Sequence, residues 1–211
     1  MLERFKAFWQ GVVLAPVVNL LLKLGVSPDA VTLVGTIGVS AGALVFYPRG
    51  ELFWGTFVIA LFVFSDLIDG AMARKSGRSS TFGSFWDSTL DRVGDAAIFG
   101  GLALYFVSDE GDSYLYLCLS LFCLVTGNLT SYARAKAESL GLDARGGIAE
   151  RSDRLVSILL AAGFAGLLDL PILLEVVLWA LAAASAYTVV FRVMKVRRQA
   201  VERDRSPVVP E

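Results

Sequence analysis

The sequence predicts an all-α integral membrane protein of six transmembrane helices, preceded by an N-terminal amphipathic helix lying in the membrane interface. Three observations predict it. Of 211 residues, 55% are apolar and only 18% charged, with a mean hydropathy of +0.64; a soluble domain holds about 45–50% apolar and about 25% charged residues. The apolar residues gather into six stretches, each near the roughly 20 residues that a membrane helix needs. The 19 basic residues are not spread evenly but alternate between successive polar breaks. The net charge of −1 conceals that segregation.

The elements follow in order. In residues 2–24, Leu2, Phe5, Phe8, Trp9, Val12 and Val13 recur at helical spacing, with Arg4, Lys6 and Gln10 elsewhere on the wheel. That pattern suits a helix lying in the interface, and no cleavable leader is expected. Ser27-Pro28-Asp29 marks a break and an N-cap. Spans are expected over 31–48, 52–70, 85–107, 114–133, 155–170 and 172–191. Gly35, Gly38, Gly42, Gly55, Gly100 and Gly101 lie inside them, as where helices approach closely in lipid. Arg49 is the one base in the breaks at 49–51, 108–113 and 168–171, and Arg92 lies inside a span; the other 17 bases fall in the remaining segments. By the positive-inside rule both termini and the 71–84 and 134–154 segments are cytoplasmic. The chain is expected to form one multi-pass domain of the plasma membrane, with a disordered tail over 199–211 and no nucleic-acid partner.

Histidine is absent, which removes imidazole bases and the usual zinc sites. Cys118 and Cys123 stand in an apolar run and suggest no disulfide framework. The chemistry must therefore come from acids. Asp66 and Asp69 end the second span, and Asp87 and Asp91 begin the third. Residues i and i+3 lie about 60° apart around a helix and i and i+4 about 40° apart, so each pair projects from one face. The 71–86 turn is short, so the helices are antiparallel neighbours and the four carboxylates converge near the cytoplasmic ends. One intramembrane Asp costs about 2.5–3.5 kcal/mol on insertion scales, and four close anions repel. Arg74 and Arg92 can offset part of that charge, and an ordinary interfacial pairing of acids with Lys and Arg stays open. Two divalent cations would offset it most directly. All-oxygen ligands favour Mg²⁺ or Mn²⁺, and an ion pair roughly 3.5–4 Å apart clamps a phosphate during in-line displacement. Asp95, one turn further, extends the acidic face or pairs with Arg92.

Residues 66–91 read Asp66-x2-Asp69-Gly70-x2-Ala73-Arg74-x8-Gly83-x3-Asp87-x3-Asp91. This resembles the signature of the CDP-alcohol phosphotransferase family at every fixed position, and the resemblance covers about residues 25–195. It implies transfer of a phosphoalcohol from a CDP-linked donor to a hydroxyl, with release of CMP, in a homodimer. Asp66, Asp69, Asp87 and Asp91 would hold the two Mg²⁺ (or Mn²⁺) ions, and Asp91 would also be the catalytic base. Gly70, Ala73 and Gly83 would let helix backbones approach the pyrimidine, and Arg74 would meet the donor's phosphates. The family also uses the start of the first span, here Asp29 to Thr32, and a polar residue of the 75–82 loop, here Ser80, around the nucleotide. Helix capping accounts equally well for Asp29 and Thr32.

At this chain length the implied donor is CDP-diacylglycerol, with its acyl chains in the bilayer. Arg134 and Lys136 close the fourth span, Arg151 and Arg154 open the fifth, and Arg192 and Lys195 close the sixth. The positive-inside rule alone would place such residues there. A neutral acceptor needs no such cluster, whereas one bearing a phosphate needs Arg or Lys close by. Arg134, Lys136, Arg151, Arg154 and Arg192 are therefore the candidate acceptor contacts, with the choice between Arg134 and Lys136 open. The stretches 131–138 and 146–154 resemble the actinobacterial branch of the family, whose acceptor is myo-inositol phosphate. Glycerol 3-phosphate, which would make the product phosphatidylglycerol phosphate, is the competing acceptor. A non-catalytic metal or proton carrier using the aspartates is the reading from another class, and metal-dependent CMP release separates the two.

Overall fold

The structure, a computed structural model, describes residues 15–63, 65–76 and 80–205. All regular structure among them is helical: α1 Ala15–Lys23, α2 Pro28–Phe46 with a 3-10 turn Tyr47–Arg49, α3 Leu52–Val63, α4 Ser65–Ser76, α5 Thr81–Val107, α6 Tyr114–Ser139, α7 Arg151–Leu168 and α8 Ile172–Arg205. Local chemistry sets the starts. Ser27, extended at the N-cap, accepts from Ala30 N at 3.2 Å, with Pro28 in the first turn. Ser80 does the same for α5, accepting from Gly83 N at 2.9 Å. The 3-10 turn ends at Gly50, where φ is +78°, a conformation that glycine adopts without penalty.

Among the described residues, four segments are long and apolar enough to cross a membrane: Pro28–Arg49, Leu52–Lys75, Tyr114–Ser139 and Ile172–Arg205. The other two expected spans correspond to α5 and α7, which differ for one reason. Asp87, Asp91, Arg92 and Asp95 lie in the first half of α5, and Arg151, Asp153 and Arg154 open α7. Four of the charges that dilute their hydropathy, Asp87, Asp91, Arg151 and Arg154, are candidate site residues. Of the expected interfacial helix, residues 2–14 lie outside the described residues. The remainder forms α1, which docks by its Asn19 against Lys75 of α4.

The long helices close a ring. α2 packs against α3 and α5, α3 against α7, α7 against α8, α8 against α6, and α6 against α5. Tyr47, Ile59, Ile98, Phe99, Leu102, Ile158, Leu174 and Leu178 fill its centre. The outward faces present Val34, Ile37, Trp54, Phe57, Phe164 and Trp179, apolar surface of the kind that lipid covers. Small residues set the helix separations. A Cβ on Gly101 would stand 2.6 Å from the Ala43 carbonyl oxygen, and one on Gly166 would stand 2.5 Å from Phe53 N.

The expected disordered tail over 199–211 is corrected in its first part, because α8 runs to Arg205. Its 34 residues reach about 51 Å at 1.5 Å per residue, beyond a hydrocarbon core of about 30 Å. The projecting turns are ordered by the loop between α6 and α7. Lys195 Nζ donates to Asp143 Oδ2 at 2.7 Å and to Arg145 O at 2.8 Å. Gln199 exchanges hydrogen bonds with the Asp143 backbone, and Arg203 donates to Leu140 O at 3.0 Å. Residues 206–211 lie outside the described residues.

Gly101→Ala is expected to destabilise the protein by about 1–3 kcal/mol through overpacking. Gly100→Ala, whose Cβ meets nothing within 4 Å, is expected to be neutral or mildly stabilising. Thermal melting in detergent distinguishes them.

Candidate active site

At the end of the ring where α2, α5 and α7 begin, a cavity of about 410 Å³ opens between them and α4. Asp69, Asp87 and Asp91 line it, together with Asp29, Thr32, Gly70, Ala73, Ser80 and Gly83. The structure thus brings three of the four acids that spacing gathers together with six of the residues that the family resemblance implies for the donor. Arg74 is exposed and outside the lining; its Nη1 lies 3.4 Å from where a Gly70 Cβ would stand. Asp66 occupies the second position of α4, one turn before Asp69, and its side chain lies outside the described residues.

Asp69 is only 7% exposed, and Thr32 Oγ1 donates to its Oδ2 at 2.6 Å. Thr32 therefore bonds an acid as well as facing the cavity. The indole of Trp86 donates to the Asp29 carbonyl at 3.2 Å, tying the start of α2 to α5. Among the described residues no three Cys, Asp or Glu stand close enough to form a ready-made metal site. The donor set still suits a hard cation, because every candidate ligand is a carboxylate oxygen facing a polar cavity. The described part of that set is spread around the cavity rather than closed on a point.

A second cavity, of about 430 Å³, lies beside the first. Arg134, Arg151, Arg154 and Arg192 line it, with Arg92, Thr130, Ser131 and Glu150. Lys136 does not line it and is exposed; two residues along a helix is a rotation of about 200°, so Arg134 and Lys136 cannot share a face. Two of the arginines are almost wholly buried: Arg154 is 2% and Arg192 4% exposed. Arg154 Nη1 donates to Thr130 Oγ1 and Ala149 O, each at 3.2 Å. Arg192 donates to Gly146 O at 3.1 Å and to Thr130 O at 2.7 Å. Gly127 makes room, since a Cβ there would lie 3.1 Å from Arg154 Nη2. Gly146 and Gly147, both at positive φ, carry the loop over α8, where Thr188 Oγ1 accepts from Ile148 N and Ala149 N.

Arg151 lines both cavities. Its Nη2 lies 3.0 Å from Asp91 Oδ1, and its Nε donates to Asp95 Oδ1 at 3.1 Å. Sequence reasoning left Asp95 open between two roles, and the structure gives it the pairing one, at 3.5 Å from Arg92. Sequence reasoning missed Thr130, Ser131 and Gly127. Their only signal was small and hydroxyl residues on the α6 face that leads to Arg134.

A fold of this kind, with a signature of acids at one end of a helical ring, defines a class. The sequence profile of the CDP-alcohol phosphatidyltransferase family matches residues 25–184, and the chain belongs to that family of transferases. It is 52% identical over 210 residues to the phosphatidylinositol phosphate synthase of Streptomyces avermitilis, covering 97% of this chain and 86% of that one. Crystal structures of the Mycobacterium tuberculosis phosphatidylinositol phosphate synthase PgsA1 are also similar. The complex with manganese and citrate gives a TM-score of 0.83 at 41% identity, covering 88% of this chain and 89% of that chain. The form with CDP-DAG bound gives 0.81 at 40% identity, covering 87% and 93%.

Thr32→Val removes the hydrogen bond that orients Asp69. With Asp69 a metal ligand, as the sequence leads us to expect, the variant should weaken Mn²⁺ binding roughly tenfold, read by electron paramagnetic resonance of the free ion.

Proposed function

We propose that the protein transfers the phosphatidyl group of CDP-diacylglycerol to a hydroxyl of myo-inositol phosphate and releases CMP. One observation carries this reading: the acid-lined cavity and the arginine-lined cavity adjoin and share the Arg151 side chain. A nucleotide donor beside the acids and a phosphate-bearing acceptor beside the arginines would meet at Asp91. The relatives named phosphatidylinositol phosphate synthase support the same donor and acceptor.

Asp66, Asp69, Asp87 and Asp91 would hold Mg²⁺, two ions in our reading and replaceable by Mn²⁺, and bound metal would stabilise charge on the donor's phosphates. Gly70, Ala73 and Gly83 leave the backbone open to the cytidine, with Asp29, Thr32 and Ser80 around it and Arg74 outside the cavity near the phosphates. Arg134, Arg154 and Arg192 seat the acceptor's phosphate through charge-assisted hydrogen bonds. Asp91 accepts the hydroxyl proton as the new oxygen–phosphorus bond forms at the donor's β-phosphate and the bond to CMP breaks. A carboxylate is a weak base for an alcohol, so the proton moves late, once the attacking oxygen is acidified by bonding. No Ser, Cys or His constellation calls for a covalent intermediate.

In the same reading α5 and α7 also cross the bilayer, giving six spans. In this reading, which the positive-inside rule supports, both cavities face the cytoplasm from the plasma membrane, and the chain works as a homodimer, as the family resemblance implies.

Purified enzyme given CDP-diacylglycerol and Mg²⁺ is expected to release CMP with inositol phosphate and not with free inositol or serine. Turnover with glycerol 3-phosphate alone would move the assignment to that acceptor. Asp91→Asn is expected to lower kcat by about 10²–10⁴-fold. Arg134→Gln, at a partly exposed position, is expected to raise the inositol phosphate KM about tenfold or more, the effect of one lost hydrogen bond to a charged group. The donor KM should stay unchanged.

A further inference from the structure

Asp95 lies one turn beyond Asp91 on α5, outside the signature spacing, and is 4% exposed. It lines neither cavity. A carboxylate buried this deeply costs several kcal/mol unless it is paired and hydrogen-bonded. Three guanidinium groups pair with it. Arg151 Nε donates to Oδ1 at 3.1 Å, while Arg92 Nη1 and Arg154 Nη2 stand 3.5 Å and 3.8 Å from Oδ2. All three arginines line the second cavity. Arg92 in turn bonds Ser131 of α6, so the array ties together three helices.

Arg151 carries the connection further. A guanidinium is planar, with its donors in a fixed fork. Holding Nε against Asp95 therefore fixes where Nη2 points, and Nη2 meets Asp91 at 3.0 Å. The two carboxylates lie about 40° apart on the α5 wheel, close enough for one guanidinium to bond both. Within this group three cations face two anions, and the surplus positive charge lies on the cavity that suits a phosphate. Were Asp95 neutral, the three guanidinium groups would repel one another, and Arg151 would keep Asp91 as its one carboxylate.

We infer that Asp95 is a positioning residue for the acceptor side of the reaction. It holds Arg92, Arg151 and Arg154 in the array that receives the acceptor's phosphate, and through Arg151 it sets the orientation of Asp91. The inference rests on the proposed function, because it assigns the second cavity to a phosphate-bearing acceptor.

The test uses full-length enzyme in detergent with CDP-diacylglycerol and Mg²⁺, comparing wild type, Asp95→Asn and Asp95→Glu. Each is measured for acceptor KM, donor KM, kcat and melting temperature. Asp95→Asn is expected to raise the inositol phosphate KM about tenfold or more, as loss of a charged partner does, with kcat reduced and the donor KM within about twofold. Asp95→Glu, which keeps the charge but moves it by a methylene, is expected to fall between wild type and Asp95→Asn in acceptor KM. If the Asn variant does not fold, the Glu variant alone carries the test through the same split between the two KM values. The double variant Asp95→Asn with Arg151→Gln is expected to be no worse than the poorer single variant, since both break one linkage. Parallel rises in both KM values would overturn the inference, as would a fall in melting temperature with unaltered constants for the folded fraction. Wild-type failure with every phosphate-bearing acceptor would overturn the proposed function and the inference together. Wild-type turnover with unaltered Asp95 variants would overturn the inference alone.

Discussion

Arg151 and Asp91 meet at 3.0 Å, and this pair joins two halves of the molecule that carry opposite charge. The acids come from α2, α4 and α5; the arginines of the second cavity come mainly from α6, α7 and α8. Each half is unfavourable alone, because like charges crowd together. Arg151, reaching from the start of α7 to Asp91 and Asp95 on α5, offsets both. The rest of the arrangement follows from the need to hold that junction at one end of an otherwise apolar ring.

The ring meets this need by separating its tasks along the helix axes. Toward the far end α5 is apolar and small-residue packed, with Gly101 against Ala43 and Ile98, Phe99 and Leu102 in the core. Its first half carries Asp87, Asp91, Arg92 and Asp95. One continuous helix therefore anchors itself by burial and delivers charge at its other end. α7 repeats the design: Arg151 and Arg154 open it, and Ile158, Ala161, Ala162 and Ala165 bury the rest. Rigid packing below keeps the charged groups above in register.

The buried arginines are satisfied differently from the exposed ones. Arg154 and Arg192 bond backbone carbonyls at Ala149, Gly146 and Thr130, which hold their direction, and Arg154 also stands 3.8 Å from the Asp95 carboxylate. Arg134 instead pairs with Glu138 at 3.1 Å on the surface, where a salt bridge contributes about 0–1 kcal/mol and is easily exchanged for a ligand. The loop over α8 is thus part of the structure that walls the second cavity. Its glycines let it lie close enough for carbonyls to reach the guanidinium groups, and the last turns of α8, beyond the length that a membrane span needs, hold it.

The sequence by itself determined the helical class, the topology of charge and the acid signature. Helical periodicity turns the spacing of Asp66, Asp69, Asp87 and Asp91 directly into faces, and hydropathy turns apolar runs into spans. Its limits have the same physical root. Hydropathy could not separate α5 and α7 from partly polar helices, because the site charges sit on them. The composition of 199–205 reads as a tail, since the Lys195, Gln199 and Arg203 contacts that order it involve residues 50 or more positions away. Nothing in one strand of sequence says which of Arg134 and Lys136 turns inward. The pairing of Asp95 with three arginines from two helices, and the sharing of Arg151 between two cavities, were likewise decided only in three dimensions. A charge declares its type in the sequence, but its partner is set by which helix ends the apolar ring brings together.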